Sequence, residues 1–207
     1  MRSYLNIPSE KTRIIPHVVI PREHHDTPHE NLRIVHLGNL LPPRDATPFL
    51  RALTEFNKNE KDAKLEIAFI GQTPQSVKDF VNTTHLEKYV KVFPPVKYKE
   101  SQQILESYDI QLIVEAPCEE GIFLPTKVSD SMQLGKPIFT ISPSVGVLND
   151  LYKQGHISYF SSVQNEKNIL STLRQIYKDF TNGKIKSFSL EKSYSPRTIV
   201  QQYNEII

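Results

Sequence analysis

The 207-residue sequence has one cysteine, Cys118, no tryptophan and only seven glycines. A lone cysteine excludes an internal disulfide framework and a cysteine-based zinc site, and makes a reducing, cytoplasmic setting the default. Scarce glycine and absent tryptophan argue against a repeat or low-complexity chain. Net charge is small, +2, which gives no ground for a nucleic-acid partner. No apolar run approaches the ~20 residues of a membrane span. The opening MRSYLNIPSEKTR lacks the apolar core of a signal peptide. There is no Walker loop, no G-x-G-x-x-G, no H-E-x-x-H and no G-x-S-x-G, so the common phosphate-loop, dinucleotide, zinc-protease and hydrolase signatures are excluded.

What is present is alternation. LRIVHLG, LEIAFIG, YVKVF, IQLIVEA, PIFTI and ISYF read as short, nearly continuous apolar strands. Between them lie segments of helical period at 46–58, 74–83, 98–107, 125–134 and 145–153, then 165–180 with Ile169, Leu173, Ile176 and Phe180 on one face. A final helix is expected from Ser195. Such a pattern predicts a Rossmann-like, three-layer α/β/α domain with a mostly parallel sheet of about six strands. Ligands of that class bind beyond the carboxyl ends of the strands. Residues 1–31 read as a linker, 32–185 as the domain, and 186–207 as a tail with a crossing helix. His24, His25 and His29 invite a metal reading, but no firm ligand spacing supports it over a solvated linker.

Four constellations could carry chemistry. Gly38-Asn39 to Arg44-Asp45 follows the first strand. The glycine permits close backbone approach, and arginine can hold a phosphate with two hydrogen bonds; alternatively, Arg44 pairs with Asp45. Gly71-Gln72-Thr73 follows the second strand, as a ligand loop or as a plain turn. Val92 to Val96 carries two prolines, so a base contact would come from Val96; otherwise it is a stiff strand exit. The central stretch Glu115–Ile141 places Glu119, Glu120 and Gly121 before Pro125, which suits a first helical position. Lys127, Asp130 and Ser131 share one face of that helix and Val128 and Met132 another. Free N–H groups beside a lysine make an anion site. The acids could instead be a solvated turn, and Asp130 an ion-pair partner of Lys127. Glu115 reads as a strand end, Cys118 as a small packed hydrophobe, and Ser142 or Ser144 as a helix cap.

The run Glu120-Gly121-Ile122-Phe123-Leu124-Pro125, Asp130 and Gly135-Lys136-Pro137 resembles the donor-binding core of GT-B, family-four-type retaining glycosyltransferases. Phe123-Leu124-Pro125-Thr126-Lys127 is similar to a variant branch of that family. Nine residues lie between Glu120 and Asp130, more than is usual there; Asp130 stands for a glutamate, and Asn39 for an arginine.

The resemblance implies one half of a GT-B fold that binds a nucleotide diphosphate-sugar and serves retaining transfer to an acceptor hydroxyl. It gives Glu120 the catalytic position. Gly38, Asn39, Arg44 and Lys127 would bind the donor diphosphate. Gly71, Val96 and Asp130 would bind base and ribose. It implies no metal or other cofactor, and a chain that is the C-terminal half of a longer enzyme. The partner would be an N-terminal, acceptor-binding domain, with a lipid-linked or glycan acceptor met in the cytoplasm or at the inner membrane face, as in envelope polysaccharide assembly. Ile199, Tyr203 and Ile206 of the last helix would then be exposed for want of that partner. The other readings are a non-catalytic interaction domain and a sugar-nucleotide epimerase-like GT-B enzyme.

Overall fold

The structure, a computed structural model, describes residues 13, 15–23, 29–163, 165–185 and 194–206. Among these residues, six strands form one sheet: β1 (Leu32–Leu37), β2 (Leu65–Ile70), β3 (Val90–Phe93), β4 (Ile110–Val114), β5 (Ile138–Ser142) and β6 (Tyr159–Ser162). All pair in parallel, in the order β3-β2-β1-β4-β5-β6. The order reverses between β1 and β4, which opens a crevice at their carboxyl ends.

The helices are α1 (Thr47–Asn59), α2 (Gln75–Thr83), α3 (Tyr98–Glu106), α4 (Thr126–Gln133), α5 (Val147–Lys153), α6 (Glu166–Thr181) and α7 (Pro196–Asn204). Side chains alternate along each strand, so the sheet carries two apolar faces. One face packs Leu32, Ile34, Ile67, Phe69 and Phe139 against Phe49, Leu53 and Phe56 of α1, Val77 of α2 and Ile169, Leu173 and Ile176 of α6. Phe49 meets Phe69 and Phe139 edge-on, each at 6.4 Å between ring centroids. On the other face, Val128 and Met132 of α4 and Leu148 and Leu151 of α5 cover Ile113 and Ile138, while Leu105 of α3 lies with Val35 and Ala68. The three-layer arrangement expected from the alternating pattern is therefore present.

Two expectations need correction. Pro125 is the residue before α4 rather than its first helical residue; its extended backbone, φ −65° and ψ 135°, leads into Thr126. Ile199 is buried rather than exposed, whereas Tyr203 and Ile206 are exposed. The reason is a tether. Val19 is buried with Tyr194 and donates its N–H to the Tyr194 carbonyl at 2.9 Å. Ser195 then caps α7 by accepting from Thr198 N–H at 3.3 Å. That fixes the first turn against the domain with Ile199 inward. Arg22 N–H likewise donates to the Gln133 carbonyl at 2.8 Å, so the described part of the predicted linker lies along the domain.

Candidate functional site

The loops leaving β1, β2 and β3 are joined by backbone bonds. Gly38 N–H donates to Ile70 O (2.8 Å), Leu40 N–H to Gln72 O (2.8 Å) and Gly71 N–H to Phe93 O (3.1 Å). Asn39 Oδ1 accepts from Gln72 N–H at 3.0 Å, so the carboxamide at an expected phosphate-binding position serves the loop pair. Gly71 has φ +142°, and a Cβ there would stand 2.6 Å from the Gly38 carbonyl carbon, nearer still to its oxygen. The glycine is needed where the two loops touch.

Opposite these loops is the start of α4. A Cβ on Gly38 would lie 3.2 Å from Lys127 Nζ, so the missing side chain is what lets the ammonium reach the end of β1. Gly38, Asn39, Gly71, Val96, Lys127 and Asp130 line one cleft of 310 Å³. Burial lowers the Lys127 pKa, and Arg44 lowers it further against the opposing charges of Glu115 and Asp130. Asp130 is raised by burial, against hydrogen bonds from Tyr98 and Gln102 and the charge of Lys127. Tyr98 Oη donates to Asp130 Oδ1 at 2.9 Å. Asp130 thus meets a tyrosine from α3. Ser131 turns away from this cleft: it is fully buried and donates to Gln111 Oε1 under the helix. It does not share the Lys127 face in the way the spacing suggested.

Arg44 and Glu120 line a second cleft of 420 Å³, walled by Pro43, Pro117, Ile122, Val145 and Leu148. Either volume lies within the roughly 300–1,000 Å³ of small-molecule sites. Arg44 does not pair with Asp45, which instead accepts from the N–H and hydroxyl of Thr47. It forms a two-point ion pair with Glu115, Nε to Oε1 at 3.3 Å and Nη2 to Oε2 at 3.2 Å. Glu115 does close its strand, since its N–H donates to Ile141 O at 2.9 Å, yet it also holds the cation. The acidic loop is tied to the loop after β5 by Gly121 N–H to Val145 O and Val147 N–H to Gly121 O, both 2.9 Å. Cys118 is exposed, its Sγ donating to Glu120 O at 3.4 Å, rather than packed as a hydrophobe. Neither serine caps α5, whose N-cap residue is Gly146, with no side-chain cap. Ser142 bonds Pro143 O and Ser144 bonds Ser162.

Sequence reasoning did not single out Tyr98, Gln102 or His36. His36 lies on β1 under the site, fully buried, with Nδ1–H donating to Leu112 O at 3.1 Å and Nε2 without a partner. Burial first, then the Lys127 charge, depress its pKa to about 3. An unfolded histidine takes its proton near pH ~6.5, so falling pH through that value favours the unfolded chain. The stability supplied by neutral His36 is complete above that pH and is lost progressively toward pH 3. Urea unfolding at pH 7.5 and pH 5 is expected to show a loss that His36→Asn reduces, by roughly 1.4 kcal/mol for each pH unit of the window. His24 and His25 lie outside the described residues. His29 Nε2 is 3.4 Å from Arg33 Nη1. Among the described residues, no three His, Cys, Asp or Glu are grouped to hold a metal.

No family model matches the chain, and no curated protein matches its sequence. Solved structures do match its shape. The lipopolysaccharide outer core galactosyltransferase WaaB, in its apo form, superposes with TM-score 0.72 and 11% identity, over 98% of this chain and 57% of that one. Anabaena HepE, in complex with UDP and glucose, gives 0.56 and 18%, over 85% and 48%. The C-terminal domain of the group 1 glycosyltransferase LpcC from Francisella tularensis gives 0.56 and 14%, over 89% and 88%. The fold is therefore that of one half of a GT-B glycosyltransferase. The chain spans about half the length of WaaB and HepE but nearly the whole of the LpcC C-terminal domain.

Proposed function

We propose that the chain is a glycosyltransferase donor-binding domain that holds a nucleotide diphosphate-sugar for retaining transfer to an acceptor hydroxyl. The observation that carries this reading is one arrangement. Lys127 at the start of α4 reaches the glycine ending β1, with Asp130 in the same cleft and Arg44 and Glu120 in the neighbouring one. Asp130 accepts hydrogen bonds from the ribose, Val96 and Gly71 face the base, and the start of α4, Lys127 and Arg44 neutralise the leaving diphosphate without a metal. Glu120 faces the sugar. An N-terminal domain supplies the acceptor side, with a lipid-linked or glycan acceptor in polysaccharide assembly on the cytoplasmic side of a membrane. Among the described residues, no helix is long and apolar enough to cross one. HepE in complex with UDP and glucose supports a donor of this kind.

Isothermal titration of the chain with UDP- and GDP-sugars tests the reading. Weak, saturable binding of one base class without transfer is expected; sugar transfer by the chain alone contradicts the need for a second domain. A second reading is a non-catalytic interaction domain. It draws on the fact that Arg44 and Asn39 both find partners within the chain. It requires that no nucleotide sugar bind.

A further inference from the structure

Arg44 sits on the loop between β1 and α1, while Glu115 is the residue at which β4 leaves the sheet. Its backbone is pinned to β5 through Ile141. The carboxylate side chain is 13% exposed and the guanidinium side chain 36%. A largely buried acid, its backbone pinned, therefore holds a longer and more exposed base by two bonds, from Nε and Nη2. Arginine has a second pair of donors at its far end, Nη1 and the other Nη2 hydrogen. No bond from these donors to a described residue competes for them.

We propose that Glu115 is a positioning residue: it takes the side-on fork of Arg44 and so presents the end-on fork to the phosphates of the ligand. The inference rests on the donor-binding reading above and assigns the acid that reading leaves without a role. A planar fork offers two parallel hydrogen bonds to phosphate oxygens, and a fixed fork loses less freedom when it binds. Glu115 acts a second time through charge. Lys127 is held down by burial and by Arg44, and Glu115 opposes both. With the acid in place, its negative charge offsets the repulsion between the two cations. Without it, Arg44 gains freedom to swing, and each cation repels the other.

The test uses the 207-residue chain with UDP, GDP and dTDP, and the nucleosides uridine, guanosine and thymidine. Diphosphate affinity is read by titration calorimetry and nucleoside affinity by NMR. Glu115→Gln is expected to weaken the preferred diphosphate by about tenfold, while its nucleoside changes by no more than about twofold. A structural role alone would move both together. In an Arg44→Ala background, adding Glu115→Gln is expected to weaken diphosphate binding by no more than about threefold, because the fork it steers is gone and only its charge beside Lys127 is lost. Thermal unfolding confirms that each variant is folded, and Glu115→Asp serves as a second variant if glutamine unfolds the loop. If wild type binds and Glu115→Gln binds the diphosphate equally or more tightly, Glu115 is a plug and the inference is overturned while the donor-binding reading stands. If wild type binds no diphosphate, both fall.

Discussion

Replacing Gly71 with alanine is expected to lower the melting temperature by about 6–12 °C, taking about 3 kcal/mol of strain and overlap and 2–4 °C per kcal/mol for a chain of this size. Two costs add. The backbone stands at φ +142°, where L side chains are strained, and the new methyl group would drive into the Gly38 carbonyl. Neither loop can yield easily, because Gly38 N–H and Leu40 N–H are already bound to the strand and loop of β2. Gly155→Ala is the control: φ is +82° but nothing lies within 4 Å of the added Cβ, so only the strain remains. Differential scanning calorimetry of both variants separates the terms. A Gly71→Ala loss no larger than that of Gly155→Ala contradicts the contact between the loops.

Lys127→Ala is expected to weaken nucleoside diphosphate binding by about 10- to 100-fold, the loss of one charge-assisted hydrogen bond of about 1.5–3 kcal/mol. In the proposed site the ammonium is one of two cations that meet the phosphates, and it is already partly desolvated. Desolvation raises its value to a ligand because little water must leave on binding. The same desolvation makes the lysine costly in the free protein, so Lys127→Ala is expected to leave the melting temperature unchanged or slightly higher. Titration calorimetry beside thermal unfolding reads both. Unchanged affinity would mean that the phosphates do not lie against α4.

The fold was largely legible in the sequence because its signals are local. Runs such as LEIAFI, buried on both faces, leave no alternation to mistake, and Gly38 and Gly71 mark where strands end. The amphipathic face of α6 is written in Ile169, Leu173 and Ile176, all buried. The site was legible only as far as one loop or one helix turn carries it. Lys127 and Asp130 could be placed together because one helix turn carries both, whereas Gly38, at the end of β1, was joined to them only through the family resemblance. The partners could not be placed. Arg44 and Glu115 are 71 positions apart, and Tyr98 and Asp130 are 32 apart; only the crossover order of the sheet brings them together. Ser131 shows the limit on a single helix. Three positions after Val128, it falls on the inner face, and a polar residue is accepted there because Gln111 waits beneath it. Ile199 was misjudged for the same reason: the tether from Val19 to Tyr194 joins segments far apart in the chain.

The central claim is that the crevice between the β1 and β2 loops and the start of α4, into which Lys127 reaches and which Arg44 neighbours, takes a diphosphate. Backbone amide shift mapping of the chain titrated with UDP and GDP tests it most directly. The account predicts saturable shifts at Gly38, Gly71, Thr126 and Lys127, with α6 on the opposite face unmoved. Shifts confined to α6, or none at either site with both nucleotides at saturating concentration, would contradict it.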